Sequence, residues 1–148
     1  MQRIDLNTAT LIASRAIDIA RQAGFKPMAA AVLDAAGHPL AVLRDEGASF
    51  LRPEIATGKA RGCLGMGFGG RELARRAQAM PAFFAAINSL SGGEVIPVPG
   101  GVLIRNAEGE LLGALGISGD TSDNDEQCAV QAIAHASLHA DTGEAPTG

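Results

Sequence analysis

The chain has 148 residues, 12 Lys+Arg against 16 Asp+Glu, and a formal net charge of −4. That length fits one domain able to bury roughly 70% of its unfolded surface, and 47% hydrophobic with 19% charged residues is a globular composition. The acidic balance, with a pI near 5.3, excludes the basic stripe of a nucleic-acid footprint. Without Trp or Tyr the chain also lacks stacking platforms for single strands. No window reaches about eighteen uninterrupted apolar residues, and the opening MQRIDLNTAT lacks the apolar core of a secretory leader. The expectation is a cytoplasmic protein with no membrane and no nucleic-acid partner.

Leu6 to Gly24 predicts a helix: Asn7 or Thr8 caps it, Leu11, Ile12, Ala16, Ile19, Ala20 and Ala23 form an apolar face, and Gly24 stops it. The run Met28 to Leu33, the turn residues Asp34-Ala35-Ala36-Gly37 and the run Pro39 to Leu43 predict a β-hairpin. Pro53 opens a helix to about Gly65, with Glu54 in the first turn where an anion suits the dipole. Two shorter helical pieces follow, Arg71 to Met80 and Pro81 to Leu90, ended by Ser91-Gly92-Gly93. Strand-like runs then cover Val95 to Val98, Val102 to Ile104 and Leu111 to Ser118. The last is apolar on both faces and therefore central, and its Gly113 and Gly116 predict close backbone approach or a bulge. Asp123 to about Ala140 reads as a final helix, with 141–148 as a flexible tail. The fold class is α+β: one domain over 1–148, with an antiparallel sheet of about five strands flanked by helices.

Cys63 and Cys128 read as small buried thiols, and no Cys/His cluster has zinc spacing. The loop SGDTSDNDEQC (118–128) gathers Asp120, Asp123, Asp125 and Glu126 at a helix start, where acidic residues stabilise the N-terminus. Its register does not match a calcium loop. His135 and His139, spaced i, i+4 on the expected final helix, share a face and could meet one metal or one haem. His38 falls in the hairpin turn. Lys59 lies mid-helix in IATGKARG among small and apolar residues. Two readings stand for it: a snorkelling surface lysine, or a desolvated amine that anchors a carboxylate. Pro99-Gly100-Gly101 before an apolar strand lacks the P-loop and dinucleotide patterns; its glycines serve a tight turn or offer backbone N–H groups to a ligand.

Taken together, three blocks resemble the GlcG/HbpS family of haem-binding proteins, whose fold also forms the C-terminal domain of PduO-type proteins. AAVLDAAGHPLAVLRDEGAS (30–49) is similar to the family's strand, D-x-x-G turn, strand and R-x-D-G-A segment. IATGKA (55–60) is similar to its helical A-x-x-K-A block. PGGVLI (99–104) with GELLGALGISGDTSDNDEQCA (109–129) resembles its glycine-rich strand and D-E-x-C-A blocks. The resemblance implies an α/β sandwich of profilin or roadblock type, a symmetric homo-oligomer (often an octamer) and haem binding or handling. Two departures stand out. Asp45-Glu46 occupies a loop where the family has Met-Asp, and Leu103 replaces a proline; the resemblance puts both at a pocket rim.

Three functional readings follow. In the first, haem binds, with Lys59, Arg44 or Arg52 facing its propionates and Gly100, Gly101, Ser118 and Gly119 lining the site. In the second, the chain is an enzyme or auxiliary protein of a catabolic pathway, acting on a carboxylate or carbonyl compound with Lys59 and with Asp34 or Glu126 as acid or base. In the third, it is a ligand-free structural oligomer. No metal site is expected.

Overall fold

The computed structural model describes residues 2–144. The helices are α1 (Leu6–Ala23), α2 (Arg52–Met66), α3 (Gly70–Ala79), α4 (Pro81–Leu90) and α5 (Ser122–His135). The strands are β1 (Ala29–Asp34), β2 (Pro39–Arg44), β3 (Gly101–Arg105), β4 (Leu111–Ser118) and β5 (His139–Asp141). They form one antiparallel sheet in the order β2-β1-β4-β3-β5.

Helix α1 buries Ala9, Ile12, Ala13, Ala16, Ile17 and Ala20, a spacing of three and four that makes one continuous stripe. Its cap is Asp5, whose carboxylate accepts from the Thr8 N–H at 2.7 Å, rather than Asn7 or Thr8. Gly24 ends the helix in the left-handed region at φ +74°, as expected. The stripe packs with α5 on one face of the sheet, around Val32, Leu115, Ile117 and Ile133. Truncating one of these large buried side chains to Ala costs about 2–5 kcal/mol.

The opposite face carries α2 and α3, with Leu33, Cys63, Leu73, Phe84, Leu103 and Ala114 between them. Because both faces are covered, β1 and β4 are buried almost throughout, which is why β4 reads as an uninterrupted apolar run. Gly116 is decided by packing: an added methyl group would strike the Ala56 carbonyl of α2. The ladder between β3 and β4 shifts register between Ile104 and Arg105, skipping Leu112, so the bulge expected in β4 lies at its start.

Three sequence expectations are corrected. Residues 95–98 form no strand; Gly58 and Gly62 of α2 receive Ile96 and Val95, and Pro97 and Pro99 cannot donate to a ladder. The fifth strand is β5 instead, and the final helix stops at His135. The chain turns through Ser137 at φ +60° and pairs His139 with Arg105, so His135 and His139 do not share a helix face. The tail expected from 141 is structured at first: Asp141 meets Arg105 at 3.0 Å, and the Thr142 carbonyl accepts from the Arg71 N–H. Residues 145–148 lie outside the described part.

Candidate functional site

Most residues singled out in the sequence converge where the C-terminal end of β4 meets α2 and the start of α5. Lys59 Nζ donates to the Ile117 carbonyl at 2.9 Å and to Asp125 Oδ2 at 3.0 Å. The pair is enclosed, with Lys59 4% and Asp125 1% exposed. Asp125 Oδ1 accepts from the Asp120 N–H at 2.9 Å, which brings the acidic loop back over the pair. Burial pushes the Asp125 carboxyl up and the Lys59 ammonium pulls it down. Gly100, at φ +111°, lies directly over this centre; a methyl group there would come within 2.9 Å of Lys59 Nζ. Its carbonyl accepts from the Ile117 N–H at 2.9 Å. Gly119 is likewise packed, against the Pro27–Met28 backbone. Arg52, half-buried at the start of α2, donates to Ser118 Oγ at 3.0 Å.

Lys59, Gly100, Gly101, Ser118 and Gly119 thus lie close together, with Arg52 on Ser118. The lysine follows neither reading in full: it is desolvated, but its carboxylate is Asp125 of the same chain. None of the cluster lines the cavities described below. Asp34 is at the far end of the sheet, where its carboxylate accepts from the Ala36 and His38 N–H groups and closes the hairpin turn. It therefore does not face Lys59. Glu126 is held by the Arg71 guanidinium through two bonds of 2.8 and 3.1 Å, with Asp123 on the same arginine. Arg44 is spent on the carbonyls of Asp45, Glu46 and Ala48.

The two departures from the family pattern are also relocated. Asp45 and Glu46 are tied to Arg21 of α1 at 2.8 and 3.0 Å, and the Arg21 guanidinium with the Gly47 N–H holds the Asp45 carboxyl down at about 2. Leu103 is fully buried between the sheet and α2, so it belongs to the core and not to a pocket rim. The cysteines are buried on opposite faces of the sheet, and burial pushes the Cys63 thiol up to about 12 and that of Cys128 to about 11. Neither supplies a thiolate at neutral pH.

Concavity is found at several places on the surface: a cavity of about 440 Å³ lies beside Asp34, lined also by Arg3, Ile4, Leu40 and Leu111, and others lie between α1 and α5. A cavity of about 340 Å³ is lined by Arg15, Asp18, Gln22, Gln127, Gln131 and His135, with Ile19 and Phe25 as its apolar wall. A second, of about 200 Å³, shares Arg15 and His135 and continues over Leu11, Ile12, Ala132 and Ala136. The polar stripe on each helix has helical spacing, 15, 18 and 22 on α1 and 127, 131 and 135 on α5, which is the signal that points to it. Only His135 was singled out from the sequence, because two stripes on helices about a hundred residues apart are joined by tertiary structure alone. His38 and His139 line neither cavity. Among the described residues, no group of three or more His, Cys, Asp or Glu side chains is placed to hold a metal ion.

A family model for "Haem degrading protein HbpS-like" matches residues 4–134. The chain belongs to the HbpS-like family. None of the curated proteins matches it, whereas solved structures do. The PduOC–haem complex is similar at 26% identity and TM-score 0.82, covering 97% of this chain and 100% of that one. HbpS is similar at 28% identity and TM-score 0.77, covering 91% and 90%. The Klebsiella pneumoniae protein ORFY, at 22% identity and TM-score 0.76 over 90% and 94%, shares the fold. The α+β sandwich expected from the sequence is the fold of these HbpS-like structures. No helix among the described residues is long and apolar enough to cross a membrane.

Proposed function

We propose that this HbpS-like chain binds and handles haem. The observation that carries this reading is the match of nearly the whole chain, at TM-score 0.82, to a structure solved with haem. An exposed imidazole is available on the surface at His135, which shares its cavities with Arg15. When bound, haem supplies an iron centre with redox and ligand-binding chemistry; this chain supplies imidazole, cation and apolar cover. Within this reading Lys59, Gly100, Gly101, Ser118 and Gly119 act by positioning the β4–α5 connection, with Arg52 bracing it. Asp34, Glu126 and Arg44 hold turns and helix ends.

We further infer a closed homo-oligomer, an octamer on the family's pattern, working in the cytoplasm. Support for assembly comes from large apolar side chains left on the surface: Phe50 at 80% exposed, Leu90 at 84% and Phe83 on α4. Size-exclusion chromatography with light scattering reads this directly; a monomer across concentrations removes the oligomer. Haemin titration of the purified chain tests the function. A saturable, shifted Soret band at a fixed ratio of haem to chain is expected, and a featureless, non-saturating titration would sink haem binding.

A further inference from the structure

We propose that α4 docks against the same helix of a second copy of this chain, antiparallel, through an outward stripe of Phe83, Ala86, Ile87 and Leu90. The proposal rests on the homo-oligomer reading above and deepens it, because it names a contact surface and its geometry.

Helix α4 is apolar on two sides. Phe84, 6% exposed, anchors it in the core with Leu73 and Leu103. On the outer side Phe83 is 50% and Leu90 84% exposed, with Ile87 half-buried between the two sides. Positions 83, 86, 87 and 90 have the i, i+3, i+4, i+7 spacing that lines up side chains on one helix face. A helix apolar on both sides is suited to burial on both, and this chain buries only the Phe84 side. The Phe83 ring meets Phe84 edge-on, with centroids 5.8 Å apart at 78°. That contact limits its rotamers, so covering it costs less conformational entropy. Phe50 and Leu51, also exposed, stand at the entry to α2 without such a stripe.

Two electrostatic features select a second copy as the occupant. From Ala77 to Gly93 the chain has no charged residue and no histidine, although its net charge is −4. The neighbouring α3, by contrast, carries Glu72, Arg75 and Arg76, all engaged in ion pairs. A charged partner surface would lose water against α4 and gain no counter-charge, whereas a second α4 brings no charge to desolvate. The helix ends are the other feature. There is no acidic residue in the first turn, no basic residue in the last, and no side-chain cap at the start. The dipole of α4 is therefore uncompensated at both ends by its own side chains. Antiparallel pairing sets each positive N-terminus beside the partner's negative C-terminus, twice by symmetry. With the twofold axis near Ala86 and Ile87, Phe83 faces the partner's Leu90 and the small Ala86 lets the helices approach. A helix of 10 residues is about 15 Å long, so the seam is short and one charge within it should open it.

The experiment is sedimentation velocity of the full chain and its variants over a concentration series, with far-ultraviolet circular dichroism to confirm the fold. Wild type is expected to be an oligomer. Leu90→Asp and Phe83→Lys should each weaken the contact about thirtyfold or more, as for a central interface residue, and shift the chain to smaller species. The double variant Phe83→Lys/Leu90→Asp should regain part of the assembly, because antiparallel pairing sets each lysine against the partner's aspartate. Leu11→Asp, at an exposed position on α1, should sediment as wild type. The variants change exposed side chains, so their dichroism spectra should match that of wild type. An oligomer unaltered by Leu90→Asp and Phe83→Lys would overturn the α4 contact and leave the oligomer reading standing. A double variant no better than either single one would overturn the antiparallel pairing. A wild-type monomer at every concentration would overturn the oligomer reading, and the α4 contact with it.

Discussion

The Lys59–Asp125 centre and the α1/α5 groove are both made of polar side chains on helices, yet they are opposites. At the centre the described donors and acceptors are paired, the two charges are enclosed, and the glycines above them leave no room for a ligand. In the groove, polar side chains of the two helices line an open cavity. Residue type alone favours the centre, since a lysine near a carboxylate and a Gly-Gly turn look like chemistry. The groove differs in being concave and open. A polar group already paired inside the protein has little free energy left for a ligand, whereas an unpaired one at a concave surface exchanges only water.

The sharpest way to break this contrast is at the centre. Lys59→Ala leaves Asp125 buried without its cation and is expected to destabilise the fold by about 3–5 kcal/mol. Denaturant unfolding measures it; a loss below about 1 kcal/mol, with haem binding gone, would return Lys59 to the ligand site. Gly116→Ala should be comparably damaging, because the new methyl group meets the Ala56 carbonyl and drives α2 off the sheet. Near-normal stability there would mean that α2 moves freely, contrary to the close packing. The double variant Lys59→Met/Asp125→Asn removes both charges while keeping an acceptor for the Asp120 N–H. It should recover most of the stability lost by Lys59→Ala, and a double variant no better than the single one would show that the ion pair itself stabilises.

Acid gives a smaller effect, and its sign is fixed. Asp120 is held down at about 2, first by the Lys26 N–H and then by Thr121 and Asn124, and Asp45 at about 2 by Arg21. Both carboxyls therefore bind a proton less readily folded than unfolded. Their stabilisation is present above the ordinary value of 3.8 and is lost as pH falls toward about 2. Thermal melts from pH 5 to 2 should fall, and Asp120→Asn should flatten part of that slope; an unchanged slope would remove Asp120 from the account. The least effect is expected from Thr121→Ala at the N-cap of α5, which bonds the Asn124 N–H at 3.1 Å. A loss of about 1 kcal/mol in denaturant unfolding is expected, and unchanged stability would remove the Thr121 cap from the account.

Local rules carried a large part of this protein. The three-and-four spacing in α1, the Asp34–Gly37 turn, the both-face apolar run of β4 and the proline starts of α2 and α4 each state their structure within about twenty residues. They do so because hydrogen bonding, turn geometry and burial pattern are short-range. The blocks at 30–49, 55–60 and 99–129 were enough to mark the HbpS-like family. Other outcomes belong to tertiary structure. Nothing near Lys59 says that its partner is Asp125, 66 positions away, so its burial and its closure to ligands were invisible. Residues 136–141 carry no helix breaker, and only pairing with β3 and the Arg105–Asp141 contact make their last part a strand. The groove needed α1 and α5 side by side before two ordinary solvent-facing stripes became one cavity. In each case the deciding energy is a contact between distant segments, and a chain read in order does not display it.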